Sequence, residues 1–402
     1  MHGLGVLLAF AAAYAALVVA VALRAKVMTA IAVLILVYAA LTWSWAEAGR
    51  ALVEVFDKWV NLRVFVYIFF SMLLAGILRE KGILDLMVDS AGSIGCRFSL
   101  AAVPAMIGLM PMPGGALVSA IAMKKRYFED AKLSREWATY LNYWFRHVWV
   151  PSWPLFQSMV ITAAVFGVEP TLIASHTWPA TLAAIIAGLL VASPILARLK
   201  CPRLEGSGMW GLLESLSPFI LVAVLAFGLH VNLLYSLIIT VAVVAAVLRP
   251  NREQLSRALR LATSPRIHAI ILEALLFKNL LIATGAPQAL MHALGGSSLP
   301  LGAVVYLIPF ILGLSAGGET FFAASAMPLL AGVIAGPQGV DWGLMLLAYT
   351  GGYLGVMASP VHLCIALTAD YYESGLGRPL GLSLASIGVT TLIVALLAWL
   401  PV

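Results

Sequence analysis

Charge is what this chain has least of. Only 10% of its 402 residues are Asp, Glu, Lys or Arg, against 62% apolar residues and a mean hydropathy of +1.00. A soluble domain carries about 45–50% apolar and about 25% charged residues, so a soluble fold of this composition would expose apolar surface on every face. Cysteine is nearly as scarce. Cys96, Cys201 and Cys364 show neither a CxxC pair nor Cys/His ligand spacing, so no disulfide framework and no metal site is expected. HExxH, paired acids at metal-ligand spacing and GxSxG are also missing, which argues against a membrane-embedded enzyme. No long basic run exists either. The net charge of +6 comes from short clusters between apolar segments. In a membrane protein such clusters report orientation, and a nucleic-acid partner is not expected.

What the chain does have is long apolar runs of the ~20 residues a helix needs to cross a bilayer. Spans are expected at 3–23, 27–43, 62–79, 139–166 and 177–198, then at 212–229, 231–248, 267–283, 342–371 and 379–400. The first run is longer than a signal-peptide core, and its charges, Arg24 and Lys26, follow it, so it reads as a retained helix. Two further apolar stretches, 94–123 and 299–331, are interrupted by LMPMPGGALVSA and GLSAGGETFFAA. Both flanks of the first are basic (Arg97; Lys124, Lys125, Arg126). Neither flank of the second, 284–298 or 332–341, contains Lys or Arg. The positive-inside rule then makes each a re-entrant hairpin, the first entering from the cytoplasm and the second from outside. This threading puts most of the 24 Lys and Arg inside, leaves Arg50, Lys58 and Arg63 outside, and places both termini outside the cell membrane.

The expected fold is therefore an all-α polytopic membrane protein of about ten transmembrane helices plus two hairpins, in two inverted-topology repeats, 1–205 and 206–402. Gly114-Gly115 in the first hairpin echoes Gly317-Gly318 in the second, 203 positions on. Beyond each hairpin lies a helix broken by proline, and aligning Pro154 with Pro360 sets Thr162 on Thr368. Inverted repeats with broken helices at the midplane are a recurrent transporter architecture.

The breaks point to a binding site. Broken backbone in hydrocarbon is tolerated only where protein or a water-filled cavity satisfies it. Pro111 and Pro113 lack an N–H, and Gly114 and Gly115 permit close approach of a ligand. Candidate substrate or ion ligands are Pro113, Gly114, Gly115 and Ser119 in the first hairpin, and Gly317, Gly318, Glu319 and Thr320 in the second. The broken helices add Asn142, Arg146, His147 and Ser152, then Ser359 and His362. Asn142 and Arg146 share a helix face. Arg146, a charge at membrane depth, is a functional candidate by default, suited to a carboxylate. Glu319 suits a cation, a proton, or a pairing with Arg146. Trp144, Trp149 and Trp153 read as packing or an interfacial belt rather than a substrate box, Lys278 and Glu273 as a structural pair, and Lys124–Glu136 as a solvated cytoplasmic loop.

LMPMPGGALVSA at 109–120, NYWFRHVW at 142–149 and SPVHLCIALTADYY at 359–372 together resemble the domain-of-unknown-function 401 family of prokaryotic integral membrane proteins. That family looks like a branch of the ion transporter superfamily, with gluconate permeases, divalent-anion/sodium symporters and sodium/proton antiporters. The resemblance implies an inverted-repeat fold with two hairpins, usually a homodimer, often an elevator. In the dicarboxylate branch, Ser-Asn-Thr motifs at the hairpin tips bind sodium and carboxylate. Here Pro-Gly-Gly at 113–115 and Gly-Gly-Glu-Thr at 317–320 stand instead, so the tip positions carry over and their chemistry does not. The expected function is ion-coupled transport (Na+ or H+) of a small organic anion; the alternative is a cation/proton antiporter. No cofactor beyond the coupling ion is expected, and membrane lipid is the surrounding partner.

Overall fold

The computed structural model describes residues 3–398 apart from 24, 26, 113, 114, 200, 201, 203, 204, 206 and 296–298, with side chains at all of these but 21, 22, 27, 60 and 295. The chain is an all-α polytopic membrane protein. Its first half runs α1 (Gly3–Ala22), α2 (Val27–Thr42), α3 (Trp45–Asp57), α4 (Trp59–Glu80), α5 (Ile83–Ile94), α6 (Cys96–Gly108), α7 (Gly115–Lys125), α8 (Arg135–Arg146), α9 (Gln157–Phe166) and α10 (Pro170–Arg198). The second half runs α11 (Gly208–Ala223), α12 (Leu233–Leu248), α13 (Arg252–Ala262), α14 (Pro265–Ala283), α15 (Ala286–Gly295), α16 (Leu301–Ala316), α17 (Glu319–Ile334), α18 (Trp342–Ala358), α19 (Leu363–Tyr371) and α20 (Gly377–Ala398). Each half follows the same order: two apolar helices, an amphipathic one, an apolar one, a short one, a helix pair, a broken helix and a long helix.

The packing is reciprocal between the halves. Helix α3 packs on α14 and α13 on α4; α5 packs on α11 and α15 on α1; α9 packs on α17 and α19 on α7; α8 packs on α20 and α18 on α10. Each contact recurs with the halves exchanged, and one continuous apolar core joins them.

Small residues set the closest approaches. Lipid tails are as apolar as leucine, so helices in a bilayer associate through tight packing. A Cβ on Gly76 of α4 would stand 2.9 Å from Ala258 Cα of α13. On α18, Cβ atoms at Gly351 and Gly355 would overlap the Tyr306 and Phe310 carbonyls of α16. One at Gly313 would stand 2.6 Å from the Gly352 carbonyl oxygen. In the first half, Gly108 of α6 backs in the same way onto the Arg146 carbonyl of α8.

Several segments differ from the sequence expectation. Six helical segments among the described residues are long and apolar enough to cross a membrane alone, or seven if the pair Arg252–Ala283 and Ala286–Leu294, bent by 58°, counts as one. Helices α2 and α12 have 16 residues each, short of the ~20 of a full span; local thinning of the bilayer accommodates such helices at modest cost. Helices α3 and α13 were not anticipated because each is amphipathic. Helix α3 turns Ala51 and Val55 inward, and α13, opened by an Asn251–Gln254 capping box, turns Ala258 and Ala262 inward.

The stretch 124–136 is not a solvated loop. Helix α7 runs on into a π-helical turn, Arg126–Asp130, and Arg126 is buried. It pairs with Asp130 at 2.8 Å and donates to Ser99 Oγ and to the Gly92 and Pro202 carbonyls. Buried charges need such partners. Lys278 does not pair with Glu273. Its ammonium reaches across to α4 and donates to Asn61 Oδ1 at 2.7 Å, while Glu273 Oε2 has no partner. Residues five apart in a helix point in different directions. Cys96 is engaged in a disulfide, which cysteine spacing alone did not suggest.

Candidate functional site

Both long helices break beside prolines. Helix α8 ends ahead of Pro151 and Pro154, and 147–156 folds as turns until α9 starts. The freed groups are satisfied locally: Thr177 Oγ1 of α10 donates to the Pro151 carbonyl at 2.5 Å, and Trp153 Nε1 donates to the Leu109 carbonyl of the first hairpin at 3.0 Å. Pro360 does the same between α18 and α19, with His362 at the N-cap. In the second hairpin, Gly317 (φ +64°) adopts the left-handed conformation that closes α16, and Gly318 is extended. A Cβ on Gly317 would stand 2.8 Å from the His362 backbone nitrogen, so this tip rests on the second break. Pro113 and Gly114 of the first tip lie outside the described residues.

Arg146 sits at the centre. It ends α8 and is only 4% exposed. Its guanidinium lies over Gly115 at the start of α7, where a Cβ would overlap it. A side chain at 115 would have to displace the Arg146 guanidinium. Among the described residues Arg146 makes no ion pair, and its Nε has no hydrogen-bond partner. Glu319, in the first turn of α17, is close enough for the two charges to interact, without contact. Ser158 Oγ donates to Glu319 Oε2 at 3.4 Å, and the Tyr349 hydroxyl donates to Ser158 at 2.9 Å. Tyr349 belongs to α18, Ser158 to α9 and Glu319 to α17, so this chain joins the second hairpin to both broken helices.

Asn142, one turn before Arg146, forms the opposite tie. Its Oδ1 accepts from Ser119 Oγ of α7 at 2.6 Å. Its Nδ2 donates to the Ala116 carbonyl at 3.1 Å and to Thr368 Oγ1 of α19 at 3.2 Å. The first hairpin is thereby bound to the second broken helix.

Three further side chains meet between these ties. His147 and His362 lie edge to face with ring centroids 5.1 Å apart. Their ring nitrogens and Cys364 Sγ lie within 4.8 Å of one another, close enough to hold a metal ion. Ser359 Oγ is buried beside Gly317 without a partner.

The structure thus gathers Gly115, Ser119, Asn142, Arg146, His147, Gly317, Glu319, Ser359 and His362. Gly318 packs against the Phe321 ring, and Thr320 follows half-buried in α17. Ser152 turns away, to Thr181 of α10 at 2.7 Å. Trp144 packs as expected, its Nε1 donating to the Ala184 carbonyl at 2.9 Å. Sequence reasoning missed Ser158, Tyr349 and Cys364. The signal for Cys364 was its place two residues after His362, and for Ser158 its place four after Pro154. Tyr349 carried none. The N-termini of α7, α9, α17 and α19 all gather at this crossing, bringing partial positive charge and free N–H groups.

A family model described as "Protein of unknown function (DUF401)" matches residues 6–401, and the chain belongs to that family. No curated protein matches it. Among solved structures, that of the Alcanivorax borkumensis YdaH transporter is similar, with 14% identity, a TM-score of 0.58 and coverage of 86% of each chain. At that identity the likeness shows a shared fold.

Proposed function

We propose that this DUF401 protein is a secondary transporter that carries a small organic anion across the cell membrane, coupled to Na+ or H+. The observation that carries the reading is Arg146: a buried guanidinium beside the tip of the first hairpin, with no ion-pair partner among the described residues. An isolated buried charge is costly, and the planar fork of arginine suits a carboxylate bidentately. The gathered helix N-termini favour the same charge sign. The likeness to a transporter's fold agrees with this reading.

The reciprocal packing of the halves supports a two-fold repeat; we read it as inverted, within the ion transporter superfamily, with α6–α7 and α16–α17 as re-entrant hairpins. Opposed hairpins resting on broken helices suit alternating access by an elevator-like movement, and a homodimer would supply the fixed scaffold. The test is thermal stability of the detergent-solubilised protein against a panel of carboxylates and cations. A ligand at 100 times its Kd stabilises by about 2.7 kcal/mol. Stabilisation by a carboxylate, lost in Arg146→Ala, supports the reading; a panel in which cations alone stabilise overturns it.

One observation favours a second reading, a cation/proton antiporter. Glu319 ends a hydroxyl chain through Ser158 and Tyr349, an arrangement that suits proton or cation exchange. Under it, Glu319→Gln abolishes the pH dependence of transport, and unchanged pH dependence removes it.

A further inference from the structure

We propose that the crossing also holds a metal site for a zinc-class divalent ion, built from His147, His362 and Cys364. Their ligand atoms lie within 4.8 Å of one another. Two ligands bound tetrahedrally at ~2.0–2.3 Å stand about 3.5 Å apart, so closure onto an ion needs side-chain shifts of about 1 Å.

The state of the two rings points independently to a ligand. His362 is buried, and neither ring nitrogen makes a hydrogen bond of full geometry; one only approaches the Gly317 backbone. Leaving a buried polar group unmade costs about 1–3 kcal/mol, and coordination relieves that cost. His147 is oriented for the same task. Its Nδ1 donates to the Tyr143 carbonyl at 2.6 Å, which fixes the proton there and leaves the Nε2 lone pair free. Metal-binding histidines are held in this way by a carbonyl or carboxylate on the far nitrogen. Cys364 is the one free cysteine among the described residues.

Two imidazoles and a thiolate suit zinc better than magnesium or calcium, which prefer oxygen. Three protein ligands leave a fourth position for water or a transported group, the pattern of reactive rather than closed structural zinc sites. The thiolate and the Glu319 carboxylate offset the ion's charge, and Arg146 is the adverse neighbour. No ligand atom comes from Arg146, so the site stands apart from the anion reading. Cysteine spacing gave no hint of it because His147 lies in the first half of the chain and His362 and Cys364 in the second.

The test uses the purified full-length protein titrated with Co2+. One equivalent is expected, with a near-ultraviolet thiolate-to-cobalt charge-transfer band that Zn2+ abolishes. The band disappears in Cys364→Ser, and cobalt affinity falls at least tenfold in His147→Asn. A second measurement needs no variant: Zn2+ slows alkylation of Cys364 in the parent protein at least tenfold, read by peptide mass spectrometry, while Mg2+ does not. A band of equal intensity in Cys364→Ser, or alkylation equally fast with and without Zn2+, overturns the proposal.

Discussion

Replacing Asn142 with leucine removes three hydrogen bonds at once, and their partners set the size of the effect. Thr368 Oγ1 still donates to the Cys364 carbonyl at 2.8 Å, so it is not stranded. The Ala116 carbonyl keeps its place in the α7 ladder. Ser119 loses the most, a buried 2.6 Å partner, though its hydroxyl can turn back to the carbonyl one turn earlier. At about 1 kcal/mol per net hydrogen bond, Asn142→Leu should cost about 2–3 kcal/mol and Ser119→Ala about 1 kcal/mol. Double-mutant cycles across membrane helices average ~0.6 kcal/mol with a maximum of ~1.7. A short, fully buried bond belongs in the upper part of that range, so a coupling of about 1 kcal/mol is expected. SDS-induced unfolding of the parent, both single variants and the double variant in mixed micelles reads it. Costs that simply add, within about 0.5 kcal/mol, would refute the Asn142–Ser119 bond that ties α8 to the first hairpin.

Gly355→Ala forces a methyl group into the Phe310 carbonyl and should destabilise by about 1–3 kcal/mol in the same assay; a neutral result contradicts the close α16–α18 contact. Asn61→Leu strands the buried Lys278 ammonium and should cost about 3 kcal/mol, whereas Lys278→Met removes the charge, leaves only Asn61 Oδ1 unpaired and should cost about 1 kcal/mol. Equal costs for the two would mean that Asn61 is not the partner of Lys278. Cysteines placed at the exposed positions 129 and 338 should react with an impermeant thiol reagent from opposite sides of the membrane, in a background lacking the native cysteines. Labelling from one side sinks the inverted threading.

The breaks in the helices were legible because proline and glycine act locally. The structure puts breaks beside Pro154, Pro360 and Gly317, although α10 runs through Pro179 and Pro194. Long apolar runs likewise marked α1, α10 and α20. Helices α3 and α13 form no unbroken apolar run, since their inward faces are only Ala51 and Val55, and Ala258 and Ala262, so hydropathy did not mark them. Partners across the fold were the least legible. That Lys278 would find Asn61, that Ser158 would meet Glu319, and that Cys364 would meet His147 depend on packing between the halves, which no local pattern encodes. Arg146 was visible as a charge at membrane depth; that it would press on Gly115 was not.

In the proposed mechanism Arg146 grips an anionic group, and ligand affinity measured on purified Arg146→Lys reads that grip. Lysine keeps the charge and loses the planar fork. A carboxylate ligand of the parent should bind Arg146→Lys at least tenfold more weakly and Arg146→Ala not at all, with all three proteins monodisperse in detergent. Affinity in Arg146→Lys equal to the parent's would contradict the account, making the buried guanidinium a structural charge and leaving the anion to be held elsewhere.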